Sequence, residues 1–192
     1  MRRGFKAYAE KKSLELRTAL NLSKKDYLPA RILAKHLNLI IKSSTEIPGI
    51  NNNLSKIIND PDNGFSAITI YLDPFPLIIL NDSHSVYRQE SDLMHEIAHI
   101  IEGHTPFGFN KLGPFNCRTY NNGHEDEARW LGGCLQICRE GILWAVKKGM
   151  SNENISHHFN ASLEMVRYRR NVTGIDYQIS KLKNKTFDND AF

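Results

Sequence analysis

A histidine–glutamate–histidine pattern lies near the middle of the chain, formed by His95, Glu96 and His99. On a helix, positions i and i+4 lie one above the other on the same face, so the two imidazoles could bind one Zn²⁺ ion. Glu96 lies about 100° further round such a helix, where it could reach a water bound to the metal. The pattern therefore predicts a metal site that activates water. The alternative is a helix with two ordinary core or solvent-facing histidines.

The residues around the pattern predict the helix that it needs. Apolar side chains recur every four positions along residues 93–101, which is the spacing of one buried helical face. We expect this helix to begin between Val86 and Ser91, with an N-cap near Ser91 or Asp92, and to end at Gly103. The two histidines then lie beside the apolar face, at the border between the core and a cleft.

A catalytic zinc needs a third protein ligand and one open coordination position. In the extended pattern HExxHxxGxxH the third ligand would be a histidine at position 105, but this chain has Glu102 and Thr105 at the two decisive positions. That class of zinc site is therefore excluded. The other common arrangement takes a carboxylate from a later helix, and Glu125 and Glu127 both lie at the start of a predicted helix over residues 125–138.

The two carboxylates point about 200° apart on a helix, so only one of them can face the metal. Ala128 and Gly132 lie on the same side as Glu125. Small residues there would let this helix approach the helix of His95 and His99 closely, which favours Glu125 as the third ligand. Three further residues remain weaker candidates: Glu102, His104 and His124.

The remaining pattern predicts a mostly helical α+β fold. Further helices are expected over residues 5–20, 29–37, 54–58, 125–147 with a break near 140–141, and 151–170. Strands are expected over residues 38–41, 65–72 and 77–80, the last two forming a hairpin before the helix of His95. Residues 105–123 are expected to be irregular. The hairpin could supply a sheet edge to which an extended peptide adds.

Composition indicates an ordinary globular protein of 192 residues with a net charge of +4, which is too weakly basic to indicate nucleic acid binding. The first residues lack the apolar segment of a signal peptide, and no apolar run reaches the length of a membrane span. We therefore expect a cytoplasmic protein. An odd, sparse set of cysteines (Cys117, Cys134 and Cys138) argues against a disulfide framework. Cys134 and Cys138 could form a metal-binding pair on one helix, but burial as small apolar side chains is favoured.

The helices over residues 151–170 are similar to a helix-turn-helix, with a turn at 160–162. Arg167, Arg169 and Arg170 of the second helix could meet phosphates. A solvated face, or packing over neighbouring acidic groups, is the favoured alternative, so nucleic acid is possible as a partner but is not favoured.

Several stretches together resemble the ImmA/IrrE-like zinc metallopeptidases, over about residues 4–175. The resemblance is carried by Ser66-Ala67-Ile68-Thr69, Asn81, His84-Ser85, Arg88-Gln89-x-Ser91-Asp92-Leu93, His95-Glu96-Ile97-Ala98-His99, Glu125-x-Glu127-Ala128-x-Trp130-Leu131-Gly132-Gly133 and Val166-Arg167-Tyr168-Arg169-x-Asn171-Val172-Thr173-Gly174. One departure is that the family usually ends its second helix in Leu-Leu-Pro, whereas this chain lacks the proline at 135–139.

The resemblance implies a thermolysin-like (gluzincin-type) helix pair with a small sheet, flanked by helix-turn-helix-like elements. It implies one zinc ion held by His95, His99 and Glu125, with Glu96 as general base. It also implies an endopeptidase whose substrate is a repressor-like regulator, as in transcription regulation in bacteria and mobile elements. The alternative is a non-catalytic DNA- or protein-binding regulator with a structural or idle metal site.

We expect an N-terminal helical segment at 1–60, a metallopeptidase core at 61–150, a helix-turn-helix-like segment at 151–180 and a flexible tail at 181–192. Asp92 could hydrogen-bond a ligand imidazole or simply favour the N-terminal end of its helix. Peptide hydrolysis also needs a donor that stabilises the oxyanion. The sequence does not select among its candidates: His84, Tyr120, His124, Arg167 and Tyr168.

Overall fold

A computed structural model describes residues 1–46, 66–72, 74–104, 108–112, 115–119 and 121–181. The helices are α1 (Phe5–Ala19), α2 (Ala30–His36), α3 (Val86–Ile101), α4 (Asn122–Gln136), α5 (Arg139–Lys147), α6 (Asn152–Phe159) and α7 (Leu163–Thr173), with residues 175–181 also helical. The strands are β1 (Ile40–Ser43), β2 (Ala67–Ile70), β3 (Leu77–Leu80), β4 (Gly108–Leu112) and β5 (Phe115–Thr119). The prediction of a mostly helical α+β fold is confirmed. The predicted helix at 54–58 and residues 182–192 of the predicted tail at 181–192 lie outside the described residues.

The central strand of the main sheet is β3, which pairs in parallel with β1 and antiparallel with β2. All four residues of β3 are apolar and three are buried, as a strand flanked by two others requires. The predicted hairpin of β2 and β3 is confirmed. It leaves β2 as an edge strand of this sheet.

The helix α3 begins at Val86, because the side chain of Ser85 caps it by accepting from the amide of Arg88. The predicted N-cap near Ser91 or Asp92 was therefore wrong. The first turns of α3 are polar and half-exposed, so the apolar periodicity does not reveal them. The expected end at Gly103 is confirmed, since this residue has a φ of 60°, a conformation that glycine adopts at little cost.

The helices α3 and α4 pack against each other along the predicted small-residue face. A Cβ added at Gly132 would lie 3.2 Å from the carbonyl oxygen of Met94 and 3.3 Å from the Cα of His95. Only glycine allows the two backbones to come this close beside a candidate ligand. The predicted close approach is confirmed.

The C-terminal end of α4 is held by α1. The hydroxyl of Ser13 donates to the carbonyl of Cys134 at 2.6 Å, and the guanidinium of Arg17 donates to the carbonyls of Leu135 and Gln136 at 2.8 and 3.2 Å. These are last-turn carbonyls, which have no partner within the helix itself. The N-terminal segment therefore fixes the helix that carries Glu125.

The predicted helix over 125–147 with a break at 140–141 was wrong in its bounds. The helix α4 starts earlier, with Asn121 as N-cap, and ends at Gln136, while Cys138 is the N-cap of α5. Cys134 and Cys138 are both buried free thiols on either side of this break, so the pair does not share one helix. The break is stabilised by Arg169, whose Nε donates to the carbonyl of Ile137 at 2.7 Å.

Residues 105–123 were predicted to be irregular, but the antiparallel strands β4 and β5 lie in this stretch. These two strands contain Gly108, Asn110, Lys111 and Asn116, whose types are depleted in strands, so the local preference for a strand is weak despite two phenylalanines. Pairing between the strands decides their conformation.

Two apolar clusters support these elements. One unites residues of α1, α2, β3, α3 and α4, and the other unites residues of α5, α6 and α7. Over the described ranges, every helix is too short or too polar to cross a membrane.

Candidate metal centre

The side chains of three candidate ligand residues converge between α3 and α4. The Nε2 atoms of His95 and His99 are 3.1 Å apart, and they lie 3.3 and 3.5 Å from the two carboxylate oxygens of Glu125. Ligands about 2.0–2.1 Å from a tetrahedral zinc are separated by about 3.4 Å. The donor set therefore fits a zinc ion in both its chemistry and its spacing.

The three side chains differ in exposure. His99 is 1% exposed, His95 is 30% exposed and Glu125 is 37% exposed. The group is therefore buried on the side of His99 and open to solvent on the side of His95 and Glu125. A catalytic metal site requires this arrangement, because a substrate must reach the open coordination position.

The pKa values of the three side chains depend on one another. Hydrogen bonds with His95, and then with His99, hold the pKa of Glu125 well below its ordinary value. Burial lowers the pKa of His99. Burial also acts to lower the pKa of His95, but Glu125 and Glu96 raise it above the ordinary value. The ionised carboxylate and the neutral imidazole of His99 are the forms that bind a metal.

Glu96 lies beside these residues and is held from the sheet. The hydroxyl of Thr69 in β2 donates to Oε2 of Glu96 at 2.5 Å. Burial raises the pKa of Glu96, against the opposing effects of His95 and the Thr69 hydroxyl. In the sequence, Thr69 stands out only through the family resemblance. Its role depends on how β2 crosses α3, which the local pattern does not reveal.

The weaker ligand candidates lie behind the three central residues. The Nδ1 atom of His104 is 3.0 Å from Nδ1 of His99, and its Nε2 is 3.3 Å from Oε2 of Glu127. The ring of His124 stacks on His104 with centroids 4.3 Å apart. Glu102 pairs with the guanidinium of Arg2 at 2.5 Å.

The candidates for oxyanion stabilisation fall in different places. His84 lies 3.3 Å from Asp92, so the imidazole that Asp92 meets is that of His84. Tyr168 packs edge-on against Trp130, and Arg167 is exposed. Of the remaining candidates, His124 is the one stacked on His104, while Tyr120 lies outside the described residues.

The basic run of α7 is largely used within the chain. Arg169 is buried and pairs with Glu10 at 2.5 Å, and Arg170 pairs with Asp176 at 2.5 Å. Of the three residues predicted to meet phosphates, Arg167 is the exposed one. This arrangement favours the packing alternative over contact with nucleic acid.

The match to a known family covers the whole candidate centre. A model of the peptidase family described as the IrrE N-terminal-like domain (Peptidase_M78) matches residues 57–171, from before β2 into the last turn of α7. The chain belongs to this family. It therefore carries a metallopeptidase-like domain, and the family implies a protein substrate. A comparable match is found neither among the curated proteins nor among the solved structures.

Proposed function

We propose that this protein is a zinc-dependent endopeptidase, with His95, His99 and Glu125 as zinc ligands and Glu96 as general base. One observation carries the proposal: the imidazole nitrogens of His95 and His99 and the two carboxylate oxygens of Glu125 approach one another to 3.1–3.5 Å on a half-open surface beside Glu96. A structural metal site would have no use for a carboxylate held at that position. Membership of a metallopeptidase family supports the same assignment.

A zinc ion held by these ligands would supply a polarised scissile carbonyl and a water of lowered pKa. Glu96 takes the proton of the attacking water and then gives it to the leaving amine, so that one water and one peptide bond yield a carboxylate and an amine. The hydroxyl of Thr69 fixes one carboxylate oxygen of Glu96. The other oxygen is then the one that exchanges protons.

The substrate would lie along β2. This strand pairs with β3 on one side, carries Thr69 next to Glu96, and is the edge strand of its sheet. An extended peptide that added to such an edge would align its backbone beside the candidate zinc ligands. The hairpin of β4 and β5 comes within 8 Å of β2 in Cα–Cα distance and would border the same cleft.

The proposed substrate is a repressor-like regulator, which follows from the family resemblance. The described arrangement of α7 supports a protein substrate rather than a role in nucleic acid binding, because Arg169 and Arg170 already have acidic partners within the chain.

The test is to incubate the zinc-loaded protein with a peptide library and with repressor-like regulators, and to identify new termini by mass spectrometry. We expect internal cleavage that depends on zinc. The Glu125→Gln variant should lose zinc and cleavage together, whereas Glu127→Gln should retain a zinc ion at excess metal. A zinc-loaded wild type that cleaves no peptide, or a loss of zinc in the Glu127 variant only, would refute the assignment.

A further inference from the structure

A continuous chain of polar contacts runs from the back of His99 to the N-terminal segment. His99 meets His104 at 3.0 Å through Nδ1, and His104 meets Glu127 at 3.3 Å through Nε2. The other carboxylate oxygen of Glu127 accepts from the backbone amide of Arg2 at 2.7 Å. Three of the four residues are buried, since His99, His104 and Glu127 are at most 5% exposed.

The end of α3 creates the first of these contacts. The amide of His104 donates to the carbonyl of His99 and the amide of Gly103 donates to the carbonyl of Ile100, both at 3.1 Å. This is a Schellman motif, in which the residue after the glycine folds back over the last turn. An apolar contact usually accompanies the motif at these two positions. In this chain two imidazole rings make the contact.

The contacts are consistent with one set of proton positions. If Nε2 of His99 binds the metal, its Nδ1 carries the proton and donates to Nδ1 of His104. Nε2 of His104 then carries a proton and donates to the carboxylate of Glu127. Each donor in the series points away from the candidate metal, and the series ends on a carboxylate that the amide of Arg2 also holds.

We propose that His104 and Glu127 are positioning residues that fix the tautomer and the ring orientation of His99 for zinc binding. This inference rests on the proposed function. Residues that hydrogen-bond the distal nitrogen of a zinc-bound histidine generally orient it and raise its affinity for metal. Here the residue that hydrogen-bonds His99 is His104 rather than a carboxylate. The carboxylate of Glu127 hydrogen-bonds His104 and so acts on His99 through it.

A second metal site formed by Glu102, His104 and Glu127 is the competing interpretation, since their ligand atoms also lie close together. However, the guanidinium of Arg2 pairs with Glu102 at 2.5 Å and lies 3.8 Å from Glu127. The positive charge of Arg2 therefore already balances the negative charge of these carboxylates. We expect one zinc ion for each chain.

The experiment measures the zinc Kd by competition with a chromophoric chelator, and the melting temperature of the metal-free protein. His104→Leu removes the acceptor for His99 and should weaken zinc binding about 10- to 100-fold. His104→Asn keeps an acceptor near the position of Nδ1 and should restore most of the affinity. Glu127→Gln should give an intermediate loss. The graded response of the two His104 variants distinguishes positioning from a general packing defect.

Glu10→Gln is the matched control, because it weakens the ion pair of the buried Arg169, whose guanidinium lies at the C-terminal end of α4 rather than beside the zinc ligands. It should lower the melting temperature and leave the zinc Kd unchanged. A wild-type Kd in His104→Leu or in Glu127→Gln, or an equal loss in Glu10→Gln, would overturn this inference alone. A second zinc ion that disappears in Glu127→Gln would also overturn it. A wild type that binds no zinc would overturn the proposed function as well.

Discussion

Replacing Gly132 by alanine should push α3 and α4 apart beside the candidate metal centre. The new Cβ would lie 3.2 Å from the carbonyl oxygen of Met94 and 3.3 Å from both the amide nitrogen and the Cα of His95. These are backbone atoms inside a hydrogen-bonded helix, so they cannot move without the whole of α3. The two helices must separate by a few tenths of an ångström, which also moves His95 relative to Glu125.

The neighbouring Gly133 provides a matched control on the same helix. A Cβ there would meet Cε1 of Tyr168 at 3.1 Å and Cδ of Arg169 at 3.2 Å. Both are side-chain atoms, so the contact can be relieved without moving a helix backbone, although the stem of Arg169 has less room than the ring of Tyr168 because its guanidinium is bonded to Glu10 and to the carbonyl of Ile137. Each substitution should gain about 1 kcal/mol from the better helix propensity of alanine. Overpacking costs about 1–3 kcal/mol, and this cost should fall mainly on Gly132→Ala.

The difference between the two variants in free energy of unfolding should therefore be about 1–3 kcal/mol, with Gly132→Ala the less stable. In a chain of this size this corresponds to about 2–4 °C in melting temperature for each kcal/mol. Urea unfolding measures the free energy, and chelator competition measures the zinc Kd. Only Gly132→Ala should bind zinc more weakly. Equal stability and equal zinc affinity in both variants would refute the close-packing argument.

Three further predictions concern the metal, the general base and the thiols. Zinc at 100 times its Kd stabilises a protein by about 2.7 kcal/mol, so EDTA should lower the melting temperature by about 5 °C or more; an unchanged value would contradict metal binding to the folded state. Thr69→Val removes the hydroxyl that holds Glu96 and should lower kcat about ten-fold at unchanged zinc content. Thr69→Ser keeps the hydroxyl as the control, and equal rates in both variants would refute the role. Burial raises the pKa of Cys134 and Cys138, so mass spectrometry should find both alkylated slowly in the native protein and rapidly in urea. Alkylation in the native protein at the rate of a free thiol would be the contrary result.

The sequence predicts best those features that repeat with a helical period. The helix of His95 and His99 is recognisable because apolar residues recur at 93, 97 and 101, and the close approach of α4 follows from the small residues that share one face with Glu125. The N-cap at Ser85 is missed because the first turns of α3 carry polar side chains. The hairpin of β4 and β5 is missed because its stability comes from pairing rather than from local preference.

The features that the sequence does not reveal depend on contacts between distant segments. Thr69 meets Glu96 only because β2 crosses α3. Glu127 and Arg2 are 125 positions apart, and the fold brings them together behind the candidate ligands. His104 was weighed as a ligand because histidine type alone does not separate metal ligands from the residues that orient them.

The zinc content and the cleavage rate of Glu96→Gln, measured beside the wild type on a peptide that the wild type cleaves, test the central claim most directly. The variant keeps every proposed zinc ligand but lacks the group that accepts the proton of water. We predict wild-type zinc content and a cleavage rate about 10²- to 10⁴-fold lower. A variant that holds zinc and cleaves at the wild-type rate would contradict the account.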